Sequence, residues 1–425
     1  MEQIGKYEVR KKLGEGATSE VYLCHDSFGN RDVAVKVVYE NRMKDFGDAA
    51  KLHRRLFVTE ASLAGKLQHP HIVQIYDAVV APKMSYIVME YVPGGTLEPF
   101  CSKDNLLPIE KVVEIVFKCT RALGFANKLG ITHRDIKPAN LLLSGGTDIK
   151  ISDFGAALMA SSDQTQVTGI GSPAYMSPQQ IKEHALNHQT DIYSLGVVMY
   201  QLLTGMRPFT ATNSYSMMYQ ITNVEPQPPS SLRKGIPPAF DRIVKKAMEK
   251  ELERRYAIWE DFSMDLADAF RSVQRDAQSE GVADSEKFNT LRAMPFFGKF
   301  SDAELWEVLR ISHWLDLPAG AVVMEDGTQG DFFCILASGE IKVTKRKKLL
   351  NVLAPGECFG EMAYLSSNGK ERTADVSSMS NTLVVKIRTE DLDRASDACR
   401  NSFDRAFMAI LVERLTLANS RLTSG

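Results

Sequence analysis

Between Tyr7 and Glu90, short apolar, β-rich runs recur: "YEVRKKL", "EVYLCHD", "DVAVKVVY", "IVQIYDAV" and "SYIVMEYV". Such runs predict strands. One segment among them, "KLHRRLFVTEASLAGKLQ", has helical spacing instead, and from about Pro108 to Phe270 helical patterns dominate, as in "IEKVVEIVFKCTRALGFANKLG" and "DIYSLGVVMYQLLTG". The reading is a β-rich small lobe followed by a helical large lobe. The stretch "RSVQRDAQSEGVADSEK" (271–287) is polar, contains Gly281 and lacks aromatics, so it reads as a linker or a frayed helix end. Amphipathic helical spacing returns in "FNTLRAMPFFGKFSDAELWEVLRISHWLDL", where Ser301 is an expected N-cap with Glu304 closing its box. After Pro318 the period reverts to strands, punctuated by Gly320, Gly327, Gly330, Gly339 and Gly356 like the corners of a β-roll. The last helical stretch, "SFDRAFMAILVERLTLANSRL", places Phe403, Phe407, Ile410, Leu411 and Leu415 on roughly one face. That face covers a ligand, forms a dimer seam or packs on the roll, with packing the default.

Composition narrows the class. A chain of 425 residues suggests two or three domains, and 44% hydrophobic with 24% charged residues describes globular material. A formal net charge of −2 argues against a nucleic-acid partner. Cys24, Cys101, Cys119, Cys334, Cys358 and Cys399 are scattered and read as reduced thiols. The N-terminus has no apolar signal core and no stretch approaches a membrane span, so a soluble, cytoplasmic protein with no membrane partner is expected. The basic run "KRKK" (345–348) falls at an expected hairpin tip, where a solvated turn is the default and polyanion contact the alternative.

Four motifs occur in order: "LGEGATSEV" (13–21) between two expected strands, "VAVK" (33–36) on the next, "HRDIKPAN" (133–140) and "DFG" (153–155). Gly14 and Gly16 let backbone amides approach a phosphate. The series resembles the eukaryotic-type protein kinases over about 260 residues, and "DIKPAN" resembles the serine/threonine branch. The resemblance implies that Lys36 bridges the ATP phosphates and is oriented by Glu60, and that Asp135 accepts or orients the substrate hydroxyl's proton. Lys137 would offset charge on the transferred phosphoryl group, and Asn140 with Asp153 would hold Mg2+. Leu13, Gly14, Gly16, Val21, Ala34, Lys36, Met89, Glu90 and Val92 would line the ATP site, with Met89 to Val92 as gatekeeper and hinge. The family's third glycine is Ser19 here. Its Ala-Pro-Glu becomes "SPQ" at 177–179, which turns an expected ion pair with Arg255 into a hydrogen bond at best. Arg134 implies a grip on an activation-loop phosphate, with Thr165 and Thr168 as candidates and Ser172 near the substrate.

The second region carries "PAGAVVMEDGTQGDFFCILASGEIKV", "GECFGEMAYL" and "ERTADV", which together resemble the cyclic-nucleotide-binding domain. The resemblance implies that a short helix offers backbone amides to a cyclic phosphate, Ala363 among them, with Gly360 at its start. Arg372 would pair with that phosphate and Glu361 would accept the ribose hydroxyl. Thr373 could contact a syn guanine, a slight tilt toward cyclic GMP over cyclic AMP. Met362 and Tyr364 depart from the usual smaller or aliphatic residues.

The expected fold class is therefore α+β: a bilobal protein kinase fold at 7–270 (small lobe about 7–90, large lobe about 93–270), a linker at 271–287, and a β-roll cyclic-nucleotide-binding domain with flanking helices at 288–425. The expected function is an ATP- and Mg2+-dependent serine/threonine kinase acting on protein substrates, regulated by a cyclic nucleotide, with a homodimer through the terminal helix as an option. Two alternatives remain: an active kinase whose roll binds no nucleotide, and a pseudokinase scaffold.

Overall fold

Strand Arg31–Tyr39 shows how the pattern becomes structure: Val33, Val35 and Val37 are fully buried on one face, which leaves Lys36 on the other. The computed structural model describes residues 2–16, 19–39, 48–81, 84–159, 173–277, 284–365 and 371–423. Thr165, Thr168 and Ser172 lie outside them. The chain divides into two units, Met1–Gly281 and Val282–Gly425.

In the first unit, strands β1 (Gln3–Ile4), β2 (Tyr7–Glu15), β3 (Ser19–Asp26), β4 (Arg31–Tyr39), β5 (Ile75–Val79) and β6 (Met84–Glu90) form one antiparallel sheet in the order β1-β2-β3-β4-β6-β5. One face buries Ile4, Tyr7, Cys24, Val33, Val35, Val37 and Val88. The other packs Val38 and Ile87 on Phe57 of the helix Asp48–Ser62, so Lys36 faces that helix. Below lies the helical lobe. Its central helix, Gln189–Thr204, is buried along its whole length, which explains its lack of a polar face. It ends at Gly205 with φ 72, where any side chain would also collide with the backbone of Lys103. Short pairs β7 (Ile131–Thr132) with β10 (Leu158–Met159), and β8 (Leu141–Gly145) with β9 (Asp148–Ile151), carry the loops of the site.

The stretch 271–287 is helical at both described ends: helix Trp259–Ala277 runs into it and helix Asp284–Ala293 starts within it. In the second unit, Ser301 and Glu304 form the expected capping box on helix Asp302–Ile311. The roll consists of β11 (Ser312–Leu317), β12 (Val322–Met324), β13 (Phe332–Ser338), β14 (Ile341–Lys345), β15 (Lys348–Leu353), β16 (Cys358–Phe359), β17 (Asp375–Ser378) and β18 (Thr382–Arg388). They form two antiparallel sheets, β11-β18-β13-β16 and β12-β17-β14-β15. The core between them includes Cys334, Leu336, Ile341, Leu353 and Val384. Gly320, Gly327, Gly339 and Gly356 turn with positive φ, whereas Gly330 does not. None of the six cysteines forms a disulfide.

Helix Asp397–Thr423 closes the unit, and here the expected apolar face is corrected. Phe403 and Phe407 are buried in an aromatic cluster with Phe296 and Phe333, but Leu411 is 38% exposed. Among the described side chains of this helix, Phe407 is the last that is buried; the side chain of Leu415 lies outside the described set.

Candidate functional site

Lys36, from the centre of β4, reaches Glu60 Oε2 and Asp153 Oδ1, each at 2.8 Å. Glu60 is 2% exposed on the inner face of helix Asp48–Ser62. Burial works against the Lys36 charge, but the two carboxylates outweigh it and hold its pKa above the ordinary lysine value. In turn the Lys36 charge holds Asp153 down to about 2. Asp153 follows β9 with φ 64 and starts a tight turn in which Phe154 is buried against the His133 ring, 4.4 Å between centroids.

The loop after β7 carries the second group. Lys137 Nζ donates to Asp135 Oδ2 at 2.7 Å, and Asn140 Nδ2 donates to Asp135 O at 2.8 Å. The Asn140 side-chain oxygen Oδ1 and the second Asp153 carboxylate oxygen are hard donors suited to Mg2+. His133 Nε2 donates to Ser152 O at 2.9 Å, tying this loop to the one bearing Asp153. A cavity of about 160 Å³ joins Ser19, Lys36, Glu60, Asp135 and Asp153. The glycine hairpin lies on β2 and β3, where Gly14 pairs with Val21 and Gly16 N donates to Ser19 O at 2.7 Å. Leu13 is 40% exposed at its edge. Ala34 pairs with Met89 and Val33 with Glu90, which sets the proposed hinge beside β4, while Val92 is buried. Glu90 N donates to Gln74 O and the Glu90 carboxylate pairs with Lys150 at 2.9 Å.

Sequence reading missed the residue that shapes this loop. Asp191, 2% exposed in the central helix, accepts from His133 N and Arg134 N, both at 2.7 Å. Burial raises its pKa, against the pull of those donors. A carboxylate at the head of the otherwise apolar run "DIYSLGVVMY" was the available signal. Gln180 was missed too: it closes a capping box with Ser177 and donates to Arg134 O at 3.0 Å. Gln179 takes the expected hydrogen bond, accepting from Arg255 Nη2 at 2.9 Å while its own amide donates to Lys250 O at 2.8 Å.

In the second unit a cavity of about 310 Å³ has apolar walls from Met324, Val343, Leu353 and Val376, and polar groups from Glu361, Arg372 and Thr373. Gly360 has φ 78, and a Cβ there would strike Met324 and Arg372. Arg372, 6% exposed, donates to Gly360 O at 3.0 Å and Phe332 O at 2.7 Å. Burial lowers its pKa, opposed by Cys334, Asp331 and Glu361. Glu361 is 2% exposed and precedes the short helix Met362–Leu365, which contains Ala363. The unusual Tyr364, on the short helix that carries the cavity residue Met362, lies between Phe333 and Phe407, 6.0 and 5.6 Å between centroids.

Comparison with known families finds a match in each of the two units. The protein kinase domain family matches residues 7–265, and the cyclic nucleotide-binding domain family matches residues 314–398. The serine/threonine-protein kinase PknB of Mycobacterium leprae is 39% identical over 269 residues, covering 61% of this chain and 42% of that protein. PknB of Mycolicibacterium smegmatis is 35% identical over 298 residues, 68% of this chain and 47% of that protein. A probable serine/threonine-protein kinase of Clostridium acetobutylicum is 36% identical over 254 residues, 59% of this chain and 38% of that protein. The match spans less than half the length of each of these relatives.

Proposed function

The chain belongs to the protein kinase family, and we propose that it transfers the γ-phosphoryl group of ATP to serine or threonine hydroxyls of protein substrates, under control of a cyclic nucleotide held by its second unit. The carrying observation is the ion-paired Lys36, Glu60 and Asp153 in one cavity with Asp135. Phosphoryl transfer needs positioning and charge neutralisation more than covalent participation by the protein. Lys36, kept charged by its neighbours, orients the phosphates; Asp135 orients the attacking hydroxyl and takes its proton; Lys137 offsets charge on the transferred group. Asn140 and Asp153 would hold Mg2+, whose charge screens the phosphates. Arg134 Nε is buried without a hydrogen-bond partner among the described residues, which supports a phosphate grip for Thr165 or Thr168. Exposed Met408, Leu411 and Val412 on the terminal helix support a homodimer seam. Among the described residues no helix is long and apolar enough to cross a membrane, and the activity fits a cytoplasmic protein.

A second reading, an active kinase whose roll holds no nucleotide, is favoured by one observation: Arg372 already satisfies two carbonyls of its own unit. Calorimetric titration of the full chain with cyclic AMP and cyclic GMP, beside an ATP-Mg2+ assay on serine and threonine peptides, separates the readings. Phosphotransfer with no heat of nucleotide binding selects the second. No transfer to any peptide or to the chain itself removes both.

A further inference from the structure

The connection of β14 to β15 is a two-residue turn whose central residues, Arg346 and Lys347, both have positive φ, 49 and 65. Such turns favour Asn-Gly, since side chains other than Gly, Asn and Asp are strained there. Here the strained positions carry cations, flanked by Lys345 and Lys348, all four exposed and without an ion pair among the described residues. Directly behind them, Leu349 is 61% and Leu350 59% exposed. Leu350 is the extra residue of a bulge, since Val343 pairs with Asn351 and Thr344 with Leu349. The bulge and the lysines block edge-to-edge strand pairing, so a second strand is disfavoured as the occupant. What remains is a protruding tip with charge at its end and leucines at its shoulder.

We propose that this hairpin docks the protein on an anionic phospholipid surface, the cations meeting lipid phosphates and Leu349 and Leu350 entering the headgroup boundary. A chain of net charge −2 that concentrates on one tip four cations with no ion pair among the described residues offers complementarity to an anionic partner, and the adjacent apolar side chains favour a bilayer over a soluble polyanion.

The test is co-sedimentation of the full-length protein with vesicles of phosphatidylcholine, alone or with phosphatidylserine. Binding is expected only to the anionic vesicles and to weaken with salt. The double variant Arg346→Asn, Lys347→Gly supplies the residues the turn prefers, so it should melt no lower than wild type while binding falls roughly fivefold per charge, about 30-fold in all. Leu349→Ser with Leu350→Ser should lose the binding that persists at high salt. Equal binding to both vesicle types, no binding to either, or undiminished binding by the Asn-Gly variant overturns the proposal. So does displacement from the vesicles by RNA or polyglutamate at equal charge concentration.

Discussion

At the scale of single residues, the cleft separates groups that act on charge from groups that also hold the fold. Asp135→Asn preserves size and can still accept from Lys137 and Asn140, so its melting point should stay near wild type while phosphotransfer falls by at least about 10²-fold. Lys36→Met should abolish transfer too, but at a cost in stability, because Glu60 is left buried without its counter-charge. Breaking such a pair costs up to about 3–5 kcal/mol; Lys36 is 19% exposed, so the loss should fall below that range. Parallel assays and thermal melts of the two variants check this, and equal melting points would contradict it. The Asp153 carboxyl, held down to about 2, supports a pH prediction. A depressed carboxyl stabilises the fold above its unfolded pKa of about 3.9 and loses that contribution as pH falls through the folded value. Its side chain is 42% exposed along the cleft, so water screens part of the effect. Denaturant melts from pH 5 to 2 should therefore show Asp153→Asn losing less stability than wild type across the acid end.

Among elements, the loop after β7 and the segment around 177–181 are held by the central helix and by Arg255. Asp191→Ala would strip one buried and one half-buried backbone donor of their acceptor, which at up to about 1–3 kcal/mol each predicts a loss of about 2–5 kcal/mol by denaturant titration. Gln179 is a subtler case. Burial pushes Arg255 down to about 10, so it remains charged at neutral pH, compensated by carbonyls and the Gln179 amide. Restoring a carboxylate with Gln179→Glu would add an ion pair yet set an oxygen where the amide now donates to Lys250 O. The two effects oppose, and Gln179→Glu should lie within about 1 kcal/mol of wild type while Gln179→Ala loses about 1–3. A Gln179→Glu variant several kcal/mol more stable would show that the carbonyl contact is easily relieved.

For the whole molecule, the question is whether nucleotide binding in the second unit reaches the kinase cleft. Tyr364, on the short helix that carries the cavity residue Met362, packs on Phe407 of the terminal helix, so within the second unit it would pass a change at the cavity to that helix. Arg372→Ala should abolish cyclic-nucleotide binding, whereas Tyr364→Ala should retain it within a few-fold and lose its effect on kinase rate. Coupling of about 1–3 kcal/mol corresponds to roughly 5–150-fold, and by linkage an ATP analogue must shift nucleotide affinity by the same factor. Titrating wild type and both variants in the presence and absence of the analogue checks this; a Tyr364→Ala protein with full regulation would place the route elsewhere.

Much of this was legible along the chain, because the informative features are local. The apolar run "DVAVKVVY", interrupted only by Lys36, marks β4 as a strand buried on both faces with one charge within it; Ser301 and Glu304 satisfy one another within a single turn. The order of the phosphate loop, "VAVK", "HRDIKPAN" and "DFG" marks the chemistry without reference to packing. Other features depend on which distant surfaces meet. Asp191 serves an amide 58 residues away, and Arg255 meets Gln179 across 76 residues. Nothing in the helical period of "AFMAILVERL" distinguishes Phe407, which the roll covers, from Leu411, which it does not. Periodicity assigns a residue to a face; only the closure of the chain decides whether that face is covered, since burial is a property of the partner surface as much as of the residue.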